Sequence, residues 1–190
     1  MNIPLSKVSL GIARRNAHRQ WVLKPQDLVV ALKLHILGED IPSYVHLGRS
    51  LLLSQFEAHA AVQRLIAARL ATRIDNRIRP VVASLKNFLL NGAVYTYPAV
   101  RGEMTIGIPT AQAAPPLNEL MVGSAELPPV WPHPQGVVRG QSLLPLYPGV
   151  PGAAQNDSKL YALLALFDAL RIGQARERNL AARFIDERLT

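Results

Sequence analysis

Residues 53–70 read LSQFEAHAAVQRLIAARL, and they carry the clearest helix-start signal in the chain. Ser54 and Glu57 form an S-x-x-E capping box, which predicts the start of a helix that runs to about Arg69. Apolar residues recur along it at helical spacing. The predicted buried face consists of Ala58, Ala61 or Val62, Leu65 and Leu70. The opposite face is left for solvent or for a partner.

Two shorter patterns precede this helix. Pro25 begins a segment, 25–37, in which leucine and valine recur at helical spacing until a glycine ends it. Ser43 is the predicted cap of a short helix at 44–49. A helix, a short helix, a tight turn and a capped helix within about 45 residues is the spacing of a helix-turn-helix. Small residues at Gly48 and Ala58 fit a close crossing of its second and third helices.

On these residues the chain resembles the helix-turn-helix of winged-helix transcriptional regulators, and it is MarR-like in pattern across 25–74. The matching strings are YVHLG at 44–48, LSQ at 53–55 and VQRLIAARL at 62–70. The resemblance implies that the helix at about 54–69 enters the major groove of double-stranded DNA. It implies that the residues facing DNA are Ser54, Gln55, Phe56, His59, Ala60 and Gln63, with Arg64 directed towards the DNA backbone.

This helix departs from the usual pattern of the family. It carries an acid, Glu57, and alanines at 60 and 61, where basic or hydroxyl residues are frequent. Sparse base readout is therefore expected, with affinity coming from contacts to phosphates. The arginines expected to make these contacts are Arg49, Arg64, Arg69, Arg73, Arg77 and Arg79.

The position of the wing is a separate prediction. Ala71–Ile74 fits a first strand, but Pro80 follows too soon for a full return strand. The alternating segment 94–97 and the segment 104–108 therefore predict a later hairpin, at 93–108, as the wing. Arg101 would lie near its tip and reach the minor groove. Two alternatives remain open. The wing is at 71–79, or the later hairpin packs on the core and does not contact DNA.

Composition divides the chain into four parts. Residues 1–23 form a basic arm, 24–108 the winged helix-turn-helix domain, 109–156 an ordered proline-rich coil, and 157–190 a pair of C-terminal helices. The predicted fold class is thus mainly α with a small β-hairpin. Residues 1–101 hold 14 Lys and Arg against 5 Asp and Glu, whereas 102–190 hold 7 against 8. A basic half beside a neutral half favours a polyanion as partner.

Several function classes find no support in the sequence. The absence of cysteine excludes disulfides and thiolate metal sites. No phosphate-binding glycine loop or nucleophile elbow occurs, and the five histidines lack metal-ligand spacing. We therefore expect no catalytic residues, no cofactor and no metal. No apolar run is long enough for a membrane span.

Together these patterns predict a DNA-binding transcriptional regulator, a homodimer in the bacterial cytoplasm. The alternative is an antitoxin-like or other protein-interaction module on a winged-helix scaffold, whose toxin-like partner is unknown. A small-molecule sensor is a third hypothesis. Its pocket would be lined by Trp131, Tyr95, Tyr97 and Tyr147.

Overall fold

The computed structural model describes residues 21–39, 43–75, 77–121 and 127–190. Three helices open this part of the chain: α1 (Pro25–Leu37), α2 (Tyr44–Ser50) and α3 (Gln55–Ala67). Their bounds confirm the three predicted helices to within about two residues. The predicted basic arm lies outside the described residues, apart from 21–23.

Short-range hydrogen bonds explain where these helices begin. The Glu57 amide donates to the Ser54 hydroxyl at 3.2 Å, and the Ser54 amide donates to the Glu57 carboxylate at 3.0 Å. The predicted capping box is therefore confirmed. Ser43 caps α2 in a similar way, because its hydroxyl accepts from the amide of His46. Serine at both positions supplies an acceptor that the free end of a helix otherwise lacks.

The second and third helices approach each other closely, as predicted. A Cβ added at Gly48 would lie 2.7 Å from the carbonyl oxygen of Leu53, so any larger residue would push the turn before α3 away from α2. The Leu53 amide also donates to the Gly48 carbonyl at 2.8 Å. Ala58 is completely buried. Both small residues thus occupy positions with no room for a side chain of ordinary size.

An antiparallel hairpin follows α3. β1 (Ala71–Ile74) pairs with β2 (Arg77–Pro80) along their whole length, from Ala71 opposite Pro80 to Ile74 opposite Arg77. The expectation that Pro80 arrives too early for a return strand is wrong. Proline lacks a ladder donor, but in a two-stranded hairpin every strand has a free edge where that donor is not needed.

The later hairpin, predicted at 93–108, does not form. The chain makes α4 (Val82–Asn91) and then α5 (Ala93–Thr96), a short helix where a strand was predicted. Ala93 and Tyr97, four residues apart, are the buried positions of this segment, which is helical rather than strand spacing. The Thr96 hydroxyl also donates to the Gly92 carbonyl at 3.0 Å. Local hydrogen bonding and burial therefore favour a helix here, although residues 94–97 alternate like a strand.

The segment predicted as an ordered coil contains regular structure. β3 (Arg101–Pro109) is antiparallel to both β4 (Pro129–Pro132) and β5 (Val138–Leu143), and β4 is parallel to β5, so each strand pairs with the other two. Short 3₁₀ helices occupy 111–113 and 117–119. Prolines begin and end β4, where a strand tolerates them. β3 itself spans the boundary that the sequence placed at residue 108.

Three helices end the chain: α6 (Val150–Gln155), α7 (Ser158–Ile172) and α8 (Ala175–Arg188). The predicted cap of α7 is confirmed, because the Asp157 carboxylate accepts from the amides of Lys159 and Leu160, both at 3.0 Å. Gly173 separates α7 from α8, as predicted. The C-terminal pair is therefore two helices that pack against each other.

One apolar core runs through all of these parts. α1 lies near its centre, because residues 28–32 are almost completely buried and the helix contacts both α3 and α7. The Tyr147 hydroxyl, from the C-terminal half, donates to the Leu51 carbonyl between α2 and α3 at 2.6 Å. Across the described ranges, no helix has both the length and the apolar character needed to cross a bilayer.

Candidate nucleic-acid interface

The exposed face of α3 is a narrow strip that carries no charge. Phe56, Ala60, Gln63 and Ala67 follow one another at spacings of four, three and four residues, so they line up along one side of the helix. Each is exposed or half-buried, and the Phe56 side chain is 77% exposed. Gln55 and His59 flank the strip and are also exposed. The structure thus brings five of the predicted DNA-facing residues together: Gln55, Phe56, His59, Ala60 and Gln63.

Ser54, the sixth predicted residue, is engaged in capping. Its hydroxyl donates to the Glu57 carboxylate at 2.8 Å and accepts from the Glu57 amide. Hydrogen bonds from Ser54 hold the pKa of the Glu57 carboxyl below its usual value. The acid that departed from the family pattern is therefore part of the helix cap, and Ser54 serves the same cap.

His59 packs against an aromatic ring. The rings of His59 and Tyr44 meet edge to face, with centroids 4.9 Å apart. Tyr44 is the first residue of α2, so this contact joins the first turn of α2 to the second turn of α3. The His59 ring is thus partly used in packing, while the residue remains exposed.

Arg64 has a different role from the one predicted. Its Nε and Nη2 atoms each donate to a different oxygen of Asp27 at 2.6 Å. Asp27 is completely buried, and the Arg64 side chain is only 11% exposed. Hydrogen bonding to Asp27 raises the pKa of Arg64. Two of the five N–H donors of Arg64 and its charge are thus committed to a buried carboxylate, so Arg64 is a weaker candidate for a phosphate contact than an exposed, unpaired arginine.

The remaining arginines divide into free and paired groups. Four of them are exposed: Arg49 on α2, Arg69 after α3, and Arg73 and Arg77 on the hairpin. Within the described residues, these four side chains have no ion-pair partner. Arg79 donates to Glu39 at 2.9 Å, which neutralises part of its charge. The first four are the stronger candidates for contacts to phosphates.

Arg101 lies outside this group. It begins β3, opposite Leu143 of β5, and its Nη2 donates to the carbonyl of Ile172 at 3.4 Å. The prediction that Arg101 stands at the tip of a hairpin is wrong because that hairpin is absent. Its side chain lies at the C-terminal end of α7 instead.

Sequence reasoning missed two buried carboxylates. Asp27 accepts from Arg64 and from the Lys24 amide at 2.8 Å. Asp168, 2% exposed, accepts from Thr110, Trp131 and Arg171. The available signal was an acid within an otherwise apolar helical segment, which requires a partner when it is buried.

The aromatic residues proposed to line a sensor pocket do not share one. Trp131 and Tyr97 are core residues, and Tyr147 hydrogen-bonds to the backbone of Leu51. Tyr95 is 82% exposed. In the part of the chain that the structure describes, no three His, Asp or Glu side chains are grouped to hold a metal.

Comparison of the chain with protein-family models, with curated proteins and with solved structures finds no match in any of the three. The function must therefore be inferred from the geometry of α3, the hairpin and the charges around them.

Proposed function

We propose that the protein is a DNA-binding transcriptional regulator of the winged helix-turn-helix type. α3 would enter the major groove, and the β1–β2 hairpin would be the wing. The observation that carries the proposal is the order α1, α2, α3 and hairpin, with the uncharged strip of α3 and the free hairpin arginines both left exposed. This replaces the wing first predicted at 93–108.

Electrostatics supports the same proposal. The net charge is +8, and the excess of Lys and Arg lies in residues 1–101, which include α1 to α3 and the hairpin. Arg49, Arg73 and Arg77 project from elements on either side of α3 along the chain. Exposed arginines on these two elements suit contacts to phosphates beside a groove that α3 occupies.

The test is fluorescence anisotropy of full-length protein with two duplexes: one of random sequence, and one from upstream of its own gene. Each is measured at two salt concentrations. We expect tighter binding to the upstream DNA, and an affinity that falls steeply as salt rises. Absence of binding to both duplexes at low salt would contradict the proposal.

A matched pair of variants separates a specific interface from general positive charge. Arg73→Ala/Arg77→Ala should lower the slope of log affinity against log salt by about 2, because each lost phosphate contact removes about 0.9. Arg176→Ala/Arg183→Ala removes the same charge from exposed positions on α8 and should leave the slope unchanged. Equal effects of the two pairs would show that the hairpin has no special role.

Assembly is part of the proposal. A homodimer on a palindromic site would place two copies of α3 in successive major grooves, about 34 Å apart. In the bacterial cytoplasm such a dimer would have direct access to the chromosome. Light scattering of the protein alone and with DNA measures the stoichiometry. A single protein chain per duplex would argue against the dimer but not against DNA binding.

A protein partner is the second candidate function, and one observation favours it. Large apolar side chains around β3 and β5 are exposed: Val100, Met104, Ile106, Val137 and Leu144. Exposed apolar residues near one another are typical of protein-interaction sites. An antitoxin-like module would bind its partner through these strands. Affinity capture from native lysate should then return a stoichiometric protein that is lost when Val100 and Leu144 are changed to serine.

A further inference from the structure

The structure reduces the number of α3 side chains that are available to read DNA. Ser54 and Glu57 are engaged in the helix cap, and Arg64 is held by Asp27. The uncharged strip remains. Phe56 lies at its N-terminal end, and Gln63 supplies its amide side chain. A charged side chain therefore does not dominate this face, and apolar contact must contribute to any discrimination between bases.

Phe56 is unusual among the phenylalanines of this chain. The chain has four, and the other three, Phe88, Phe167 and Phe184, belong to or pack against the core. Phe56 is the second residue of α3 and is 77% exposed. The next strip position, Ala60, carries only a methyl group, so its side chain does not cover the ring. The N-terminal residues of a recognition helix are the ones that reach base edges.

The major groove offers one apolar group to such a ring. A thymine presents its C5-methyl there, whereas the other base edges present hydrogen-bond donors and acceptors. The geometry points to Phe56 as a reader of a thymine C5-methyl, so that each half-site contains a thymine recognised by apolar contact. This inference rests on the proposed function, and it names the chemical feature of the target that α3 distinguishes.

Replacing thymine with uracil tests this directly, because uracil keeps every hydrogen bond and lacks only the methyl group. The probe is a duplex that the full-length protein selects from a random-sequence pool. Each thymine is replaced singly by uracil, and affinity is measured by anisotropy at one salt concentration. We expect a three- to fivefold loss at one position of each half-site, about the effect of one apolar carbon.

The Phe56→Ala variant completes a thermodynamic cycle. It should bind the thymine duplex at least about threefold more weakly than the natural protein, and it should lose nothing further when that thymine becomes uracil. Phe56→Leu should restore part of the dependence on the methyl group. Leu127→Ala, at a position 59% exposed just before β4, should bind and discriminate like the natural protein.

Two failures are distinguishable. Salt-dependent binding without any uracil-sensitive position, or with a sensitivity that Phe56→Ala retains, overturns the role of Phe56 and leaves the proposed function standing. Lack of salt-dependent binding by the natural protein overturns both. Circular dichroism and thermal unfolding of Phe56→Ala should match the natural protein, because the side chain has little contact to lose.

Discussion

Two buried carboxylate–arginine pairs occur in the described part of the chain, and they differ in the elements that they connect. Asp27 and Arg64 are 37 residues apart, and their pair links α1 to α3. Asp168 and Arg171 are three residues apart on α7. Both carboxylates are almost completely buried. The first pair fixes the position of one helix against another, whereas the second begins as a contact within a single helical turn.

The two carboxylates also differ in their other partners. Asp27 accepts one further hydrogen bond, from the Lys24 amide. Asp168 accepts from the Thr110 hydroxyl and from the indole N–H of Trp131, both at 2.7 Å. Asp168 therefore connects α7 to β4 and to the segment after β3. The buried polar contact of α3 with α1 is thus a single ion pair, whereas Asp168 joins α7 to the strands through several hydrogen bonds centred on one acid.

The largest effect should follow the loss of the Asp168 charge. Asp168→Asn leaves the buried guanidinium of Arg171 without its counter-charge and places an amide donor among other donors. We expect the free energy of unfolding to fall by about 4–5 kcal/mol. Urea unfolding followed by circular dichroism measures it.

An exposed carboxylate supplies the control for this change. Asp186 is 60% exposed and paired with Lys86. Asp186→Asn should lower the free energy of unfolding by no more than about 1 kcal/mol. If the two substitutions have similar effects, the Asp168 network is not a stabilising centre.

A smaller but more informative effect is expected at the other pair. Arg64→Leu leaves Asp27 buried and uncompensated, at a cost of about 3 kcal/mol. The Asp27→Leu/Arg64→Leu double variant should recover much of this loss, because it removes both charges together. Urea unfolding of the two variants and of Asp27→Leu gives the coupling free energy.

DNA binding separates this structural role from a phosphate contact. Measured where each variant is fully folded, the double variant should keep the salt slope of the natural protein, unlike Arg73→Ala/Arg77→Ala. A reduced slope would return Arg64 to the DNA interface and contradict the role assigned to it here.

The α1–α3 unit was predictable because its signals are local. The capping box at Ser54, the cap at Ser43 and the small residue at Gly48 each act over a few residues, and the structure confirms all three. The site was predictable to the same extent. The exposed strip of α3 follows from helical spacing, but the role of Arg64 does not, because its partner lies 37 residues away.

The strands were not predictable for a related reason. β4 and β5 pair in parallel with each other, and both also pair with β3, so this arrangement depends on contacts between residues that are distant in sequence. Gly107 shows the constraint, because an added Cβ would lie 2.0 Å from the Trp131 carbonyl oxygen. The sequence predicted a strand at 104–108, which includes Gly107, but paired it with 94–97 and not with β4 and β5.

Tyr97 connects the two buried pairs. Its hydroxyl donates to the Lys24 carbonyl at 3.1 Å, beside the amide that binds Asp27. Its carbonyl accepts from Arg171 Nη1 at 3.2 Å. Tyr97→Phe removes only the first of these contacts. We expect a loss of about 1 kcal/mol in the free energy of unfolding at pH 7, measured by urea unfolding.

The dependence on pH identifies the hydroxyl as the cause. Burial, with a smaller contribution from Asp27, raises the pKa of Tyr97 from 10.0 to about 12. The folded protein therefore holds this proton more tightly than the unfolded chain, and stability is lost as pH rises from 10 towards 12. Phenylalanine cannot ionise, so the difference between Tyr97→Phe and the natural protein should shrink across that range. Tyr95→Phe, at a position 82% exposed, should follow the natural protein throughout. If the difference stays constant from pH 7 to 12, ionisation of Tyr97 does not contribute, and the link between the two pairs rests on the backbone contact to Arg171 alone.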